Sequence, residues 1–255
     1  MFRSTALLFF AGLIASAVNA AAGGGTLLSF PALLGAGLSP LAANATSTVG
    51  LLTGYFASVA GYRQDMRKLR GEVGATVVPS IVGGALGAWL LLKLGSEFFS
   101  RIVPWLLIGS SIILLAQPLA QKLSKSGEGA RSKPVIFIAV LAIALYAGYF
   151  GAGVGILFLG AMGLLYGKDL GQVNAIKVFV AMLANVIAAA TFVGLELVKP
   201  TGALVWRAAL PLAAGALFGG VLGVTIARRL PPSALRGFAA LVGLAIAVYI
   251  IFFKR

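Results

Sequence analysis

From Ser4 to Tyr62 the chain carries no charged residue. At about 20 residues per helical crossing, that run holds two or three passes of a bilayer. An ordinary soluble domain, about a quarter charged, contains no such stretch. Further uncharged runs cover 73–92, 102–121, 134–167, 178–195, 208–227 and 237–253. Over the whole sequence 60% of residues are hydrophobic and 10% charged, with a mean hydropathy of +1.03. This is the pattern of an all-α polytopic membrane protein, because in lipid a helix satisfies its own backbone hydrogen bonds. The lipid bilayer is its first partner. The net charge of +14 comes from 20 basic and 6 acidic residues. The basic ones cluster between apolar runs, as membrane topology produces, which argues against nucleic acid as a partner. With no Cys and no His, thiol chemistry, disulfides, most zinc sites and the usual general base are excluded.

Punctuation divides the long runs. Gly23, Gly24 and Gly25 interrupt the first, and Ser39-Pro40 reads as an N-cap followed by Pro at the first helical position. Helices are expected near 4–22, 25–38 and 39–62. The second half repeats the scheme near 134–150, 155–167 and 169–195, separated by Gly151, Gly153 and Gly155 and by Lys168-Asp169. Two plain spans complete each half, 73–94 and 98–121, then 201–227 and 233–253. The N-terminus imitates a secretory signal ending at Val18-Asn19-Ala20. The counterpart of this segment before Gly151 argues that it is retained.

Shifting the chain by 130 positions superposes Gly23, Gly25, Leu27, Leu34, Gly37, Asn44 and Ala45 on Gly153, Gly155, Leu157, Leu164, Gly167, Asn174 and Ala175. A shift of 132 aligns Pro79, Gly83 and Gly87 with Pro211, Gly215 and Gly219. The expected organisation is a first transmembrane repeat over 1–124, a cytoplasmic linker over 125–133 and a second repeat over 134–255. Basic residues concentrate at 63–70, 122–133 and 228–236, which places those connections in the cytoplasm. The helices at 39–62 and 169–195 then run in opposite directions. The repeats are inverted and both termini are external, an arrangement recurrent in secondary transporters with a site at the repeat interface.

The segments 25–38 and 155–167 reach only about 20 Å, short of a hydrocarbon core of about 30 Å. Each is expected to be half of a re-entrant hairpin. Its tip glycines suit either tight helix packing or a close backbone approach to a ligand, and the free N–H groups beside them favour an anion. Lys177 is the one basic residue well inside an expected span, about 12 Å along its helix. Either it snorkels or it faces an anion. Asn44 and Asn174 occupy equivalent places, with Thr46 and Ser47 beside Asn44, and serve either helix contacts or substrate. All six acidic residues, Asp65, Glu72, Glu97, Glu128, Asp169 and Glu196, fall in or beside expected loops, which disfavours cation transport and intramembrane catalysis. No nucleotide-binding signature accompanies the run from Gly151 to Gly155.

The run Gly23-Gly24-Gly25-Thr26-Leu27-Leu28-Ser29-Phe30-Pro31-Ala32-Leu33 is followed by Asn44-Ala45-Thr46-Ser47. The second half carries Gly151-Ala152-Gly153-Val154-Gly155, Asn174-Ala175-Ile176-Lys177, Trp206 entering a span and Arg228-Arg229-Leu230-Pro231. In this order, over nearly the whole chain, the motifs resemble the sulfite exporter TauE/SafE family of membrane permeases. The resemblance implies movement of sulfite, sulfonates or related organic anions across a prokaryotic cytoplasmic membrane. One departure is Ala161 where the first half has Pro31. The reading is a secondary permease for a small anion, working by alternating access, without cofactor, metal or enzymatic activity, and with room for a homodimer. Its expected substrate contacts are Gly23, Gly24, Gly25, Thr26, Asn44, Thr46, Ser47, Gly151, Gly153, Gly155, Asn174 and Lys177. A passive anion channel and a non-transporting membrane scaffold are the alternatives.

Overall fold

The computed structural model describes residues 2–21, 23–124, 132–166, 170–227 and 232–253. Most of the expected linker, together with Lys168, Asp169 and the run from Arg228 to Pro231, lies outside the described residues. Ten helices follow in order among the described residues: α1 (Phe2–Ala21), α2 (Thr26–Gly35), α3 (Pro40–Gly61), α4 (Arg63–Lys68), α5 (Arg70–Ser124), α6 (Lys133–Tyr149), α7 (Val154–Tyr166), α8 (Leu170–Val198), α9 (Trp206–Ala227) and α10 (Pro232–Phe253). No strand occurs among them. Among the described residues three stretches are long and apolar enough to cross a membrane by length and composition: Arg70–Ile113, Gln172–Val198 and Trp206–Thr225.

Local chemistry sets the boundaries. Ser39, extended at φ −63° and ψ 157°, accepts a hydrogen bond from Ala42 N at 3.3 Å, with Pro40 opening α3. This is the cap that the sequence pattern predicts. Three boundaries differ from expectation. The basic connection after α3 is helical as α4, because Arg63-Gln64-Asp65-Met66-Arg67-Lys68 is made of residues that tolerate or favour helix. The loop expected between 94 and 98 shrinks to one residue. α5 turns instead at a single residue, Gly95, whose φ of 75° and ψ of −178° belong to a region open essentially to glycine alone. Finally, α9 starts at Trp206 rather than near 201, since Glu196 accepts hydrogen bonds from Thr201 N, Thr201 Oγ1 and Gly202 N and holds 199–205 in a turn.

The two halves interlock. α1 packs along α9 and α6 along α5, while α3 lies on α9 and α8 on α5. Glycines make these contacts possible. A Cβ on Gly215 or Gly219 would collide with the carbonyl of Phe9 or Leu13 in α1, and one on Gly83 or Gly87 with that of Leu141 or Leu145 in α6. Small residues at these positions bring helix axes close enough for van der Waals packing, which is the main attraction available between helices in lipid. Inside, Phe150 meets Phe30 and Phe99 edge to face, with centroids 5.6 and 5.8 Å away. Outside, Trp105, Leu210, Phe218, Val221, Leu241 and Phe252 are exposed, so the surface is apolar as a lipid-facing surface must be.

This packing predicts that Gly215→Leu abolishes a monodisperse folded protein. Gly109→Ala, which meets nothing within 4 Å, should gain about 0.8 kcal/mol of helix propensity and melt slightly higher. Size-exclusion chromatography and thermal melts in detergent compare the two; a well-folded Gly215→Leu protein contradicts the role given to the α1–α9 contact.

Candidate functional site

At the end of α1 the chain turns through Gly23 and Gly24, with φ of 77° and 105°, before entering α2. In the second half Gly151 and Gly153 turn at φ 77° and 75° before α7. The two tips touch. A Cβ built on Gly23 would lie 2.6 Å from Gly155 Cα, and one on Gly155 would lie 2.6 Å from Gly23 Cα and 3.1 Å from Lys177 Cδ. No other residue fits both the backbone conformation of Gly23 and this approach.

Beside the contact is a cavity of about 10 Å³, lined in part by Asn19, Gly23, Tyr55, Ser58, Gly155 and Lys177. That holds about one water and no larger ligand. Lys177 is 2% exposed, and its Nζ donates to the Asn19 backbone O at 3.0 Å. It is buried inside the bundle rather than snorkelling, and it is the one charged side chain among the buried described residues. No carboxylate among them pairs with it. Glu97 is engaged with Arg101 on the surface, and Glu196 caps its own turn.

The remaining expected residues divide. Asn174 lies one helical turn before Lys177 and donates from Nδ2 to Tyr62 OH at 2.8 Å and to Ala20 O at 3.3 Å. Asn44 donates from Nδ2 to Tyr149 O at 2.9 Å. Each asparagine thus reaches the carbonyl end of the opposite half's first helix, and each leaves its Oδ1 buried with no hydrogen-bond partner. Ser47 Oγ lies 2.7 Å from Ser29 Oγ and ties α3 to α2. Thr46 Oγ1 accepts from Val205 N at 3.1 Å and fixes the approach to α9. Thr26 is buried, with its Oγ1 3.9 Å from the place of a Cβ on Gly151. Gly153 packs on Ser110. At that second tip Ala152 O accepts from Tyr146 OH at 2.9 Å, with Ser110 Oγ 3.0 Å away. Only Gly23, Gly155 and Lys177 of the expected set line the cavity.

The amides of Gly24 and Gly25 do point to a common acceptor, and it is a residue that sequence reasoning had assigned to a signal-like end. Asn19 Oδ1 accepts from Gly24 N at 3.1 Å and Gly25 N at 2.8 Å, while its Nδ2 donates to Tyr55 OH at 3.0 Å. Tyr55, Ser58 and Tyr62 were also missed. The signal for them was the spacing of Asn44, Thr48, Tyr55, Ser58 and Tyr62, three, four or seven residues apart along one face of α3.

A family model described as sulfite exporter TauE/SafE matches residues 8–250. A probable membrane transporter protein of Haemophilus influenzae is 28% identical over 221 residues, covering 86% of this chain and 83% of its own length. The probable membrane transporter protein ORF9 of a Sinorhizobium species is 27% identical over 250 residues, covering 97% and 92%. The probable membrane transporter protein YfcA of Escherichia coli K12 is 28% identical over 222 residues, covering 85% and 78%. No solved structure matches significantly.

The tip geometry predicts that Gly23→Ala costs roughly 2 kcal/mol or more, from the left-handed backbone and the clash with Gly155 together. Gly35→Ala, with nothing within 4 Å, serves as the neutral control. Thermal unfolding in detergent reads the difference, and equal melting temperatures contradict a close tip contact.

Proposed function

The chain belongs to the sulfite exporter TauE/SafE family, a family of membrane transporters, and from that premise we propose that it moves a small sulfur-containing or organic anion across the cytoplasmic membrane. One observation carries this reading: Lys177, buried and without a carboxylate partner among the described residues, faces the meeting point of the two glycine tips across a cavity. An uncompensated Lys at the centre of a bilayer costs roughly 2.5 to 3.5 kcal/mol. A monoanion beside it supplies the missing charge. Gly23 and Gly155 let backbone come close, and Tyr55 and Ser58 border the cavity with neutral polar groups. Such a site offsets an anion's desolvation without the cluster of fixed charges that would hold it too tightly to release.

Transport proceeds by alternating access. A cavity of about 10 Å³ is too small for a sulfonate, so binding requires the tips to separate, and Gly23 against Gly155 is a contact with no side chain to disengage. Two inverted repeats, 1–124 and 134–255, supply the moving bodies in this proposal. Supporting it, the glycine contacts of α9 on α1 recur in α5 on α6 at a constant shift of 132: Gly215, Gly219, Phe9 and Leu13 correspond to Gly83, Gly87, Leu141 and Leu145. With basic connections in the cytoplasm, both termini are external.

Lys177→Met is the decisive substitution. It removes an unpaired buried charge at similar volume, so the variant should melt at the same or a higher temperature than the parent while losing anion flux. Uptake of radiolabelled methanesulfonate, sulfite and acetate into proteoliposomes, with melts of the same preparations, checks both halves of that expectation. Flux unchanged in Lys177→Met overturns the assigned role. Flux that fails to saturate and shows no counterflow indicates a pore instead.

A further inference from the structure

We infer that Asn19 is an internal stand-in for the substrate, and that the site takes a monovalent oxyanion, one of whose oxygens replaces Asn19 Oδ1. The inference rests on the anion-site reading above and names the ligand's chemistry and the residue it displaces. Asn19 gathers the donors of the site on itself. Its Oδ1 accepts from Gly24 N and Gly25 N at 3.1 and 2.8 Å, and its backbone O accepts from Lys177 Nζ at 3.0 Å. Its Nδ2 is satisfied by Tyr55 OH at 3.0 Å. A carboxamide oxygen on two backbone amides copies one oxygen of an oxyanion in shape and hydrogen bonding, but without the charge.

The physical logic is competition. Left bare, the amides of Gly24 and Gly25 would each incur the desolvation penalty of an unsatisfied buried donor, so an occupant is needed between transport cycles. A neutral occupant is the suitable one, because an ionised acceptor bonds the same amides roughly twice as strongly and can displace it. A neutral ligand gains nothing by the exchange. Displacement is local: the side chain of Asn19 swings off the start of α2, and the cavity already bordered by Asn19, Gly23, Tyr55, Gly155 and Lys177 widens toward the amides.

One observation independent of the α2 amides points to a ligand here. Lys177 is 2% exposed and lines this cavity, yet its Nζ makes one hydrogen bond where an ammonium can donate three. The second tip carries no equivalent stand-in. The shift of 130 puts Tyr149 opposite Asn19, and the group held there is a carbonyl, Ala152 O, bound to Tyr146 OH. The fold therefore builds one oxyanion position, not two.

The charge count sets the valence. One buried cation compensates one negative charge, so a dianion leaves a net charge in the low-dielectric core. A zwitterion brings an ammonium with no carboxylate among the buried described residues to receive it. Methanesulfonate and acetate fit; sulfate and taurine do not.

The test uses the full chain, purified in detergent, with melting temperature titrated against methanesulfonate, acetate, sulfate and taurine for wild type, Asn19→Asp and Asn19→Ala. Wild type should respond to methanesulfonate and acetate and not to sulfate or taurine. Asn19→Asp carries a built-in carboxylate at the oxyanion position, so it should melt higher than wild type and lose its response to methanesulfonate. Asn19→Ala should melt lower but bind methanesulfonate about tenfold more tightly, the equivalent of one displaced hydrogen bond. An Asn19→Asp protein with the full wild-type methanesulfonate response overturns the inference and leaves the anion site standing. So does a folded Asn19→Ala protein whose affinity is unchanged or weaker; should that variant not fold, the nearly isosteric Asn19→Asp decides alone. A stronger wild-type response to sulfate than to methanesulfonate overturns the valence. If wild type responds to none of the four and carries no flux, the anion-site reading itself falls.

Discussion

A helix that breaks at membrane depth must find partners for the backbone groups it releases, and most of what is specific in this protein answers that requirement. The bilayer core offers no water to take up a free N–H or C=O. Each break here has its own polar custodian. Asn19 takes the amides of Gly24 and Gly25, Asn174 the carbonyl of Ala20, Asn44 that of Tyr149, and Tyr146 that of Ala152. Outside the tips the same rule holds at Val205, whose amide is held by Thr46. The custodians mostly come from the other half of the chain. Asn44 closes the end of α6 and Asn174 the end of α1, so neither half can finish its own hairpin alone. The interlocking of α1 with α9 and of α6 with α5 and the crossing asparagines are therefore two parts of one arrangement: the first brings the hairpin ends together, and the second completes their hydrogen bonding.

Much of this was legible in the sequence wherever it depended on local pattern. The uncharged runs marked the helices, Ser39-Pro40 marked the start of α3, and the glycine runs marked both tips, because caps and left-handed turns are properties of a few consecutive residues. α4 was not legible, since its charged residues read as a connection while their helix propensity is ordinary to good. The turn between 94 and 98 was anticipated as a loop, but nothing in the sequence says that Gly95 alone accomplishes it. The site divides in the same way. Gly23 and Gly155 stood out as members of closely spaced glycine runs, and Lys177 as a charge inside an apolar span. Asn19, Tyr55 and Tyr62 did not, because their significance arises only when α1, α3 and α8 meet. Asn19 and Lys177 lie far apart in the chain and become partners through packing that no local pattern encodes.

Lys177 and the two free Asn oxygens separate stability from purpose. A protein selected for stability alone would complete those oxygens or replace them, since a buried polar atom without a partner costs on the order of 1 to 3 kcal/mol. Among the described residues four such atoms occur, Asn44 Oδ1, Asn174 Oδ1 and Tyr149 OH by the hairpin ends and Ser111 Oγ in α5, and beside them Lys177 Nζ has a single acceptor. The Nδ2 groups of Asn44 and Asn174 do structural work, and their Oδ1 groups do not. For both residues the contacts made are helix contacts, through Nδ2 alone.

The tight Gly23–Gly155 contact gives this arrangement its mechanical character. Small residues at an interface in lipid normally lock helices together, and the glycines of α9 and α5 do so along whole helix faces. At the tips Gly23 and Gly155 meet backbone to backbone, with Lys177 and a water-sized cavity beside them. Parting that contact would expose a cation with one acceptor and a pair of amides with a neutral one. In the proposed transport cycle, an ion that satisfies both Lys177 and the amides held by Asn19 lowers the cost of opening most, so that binding and opening would become the single event that alternating access requires.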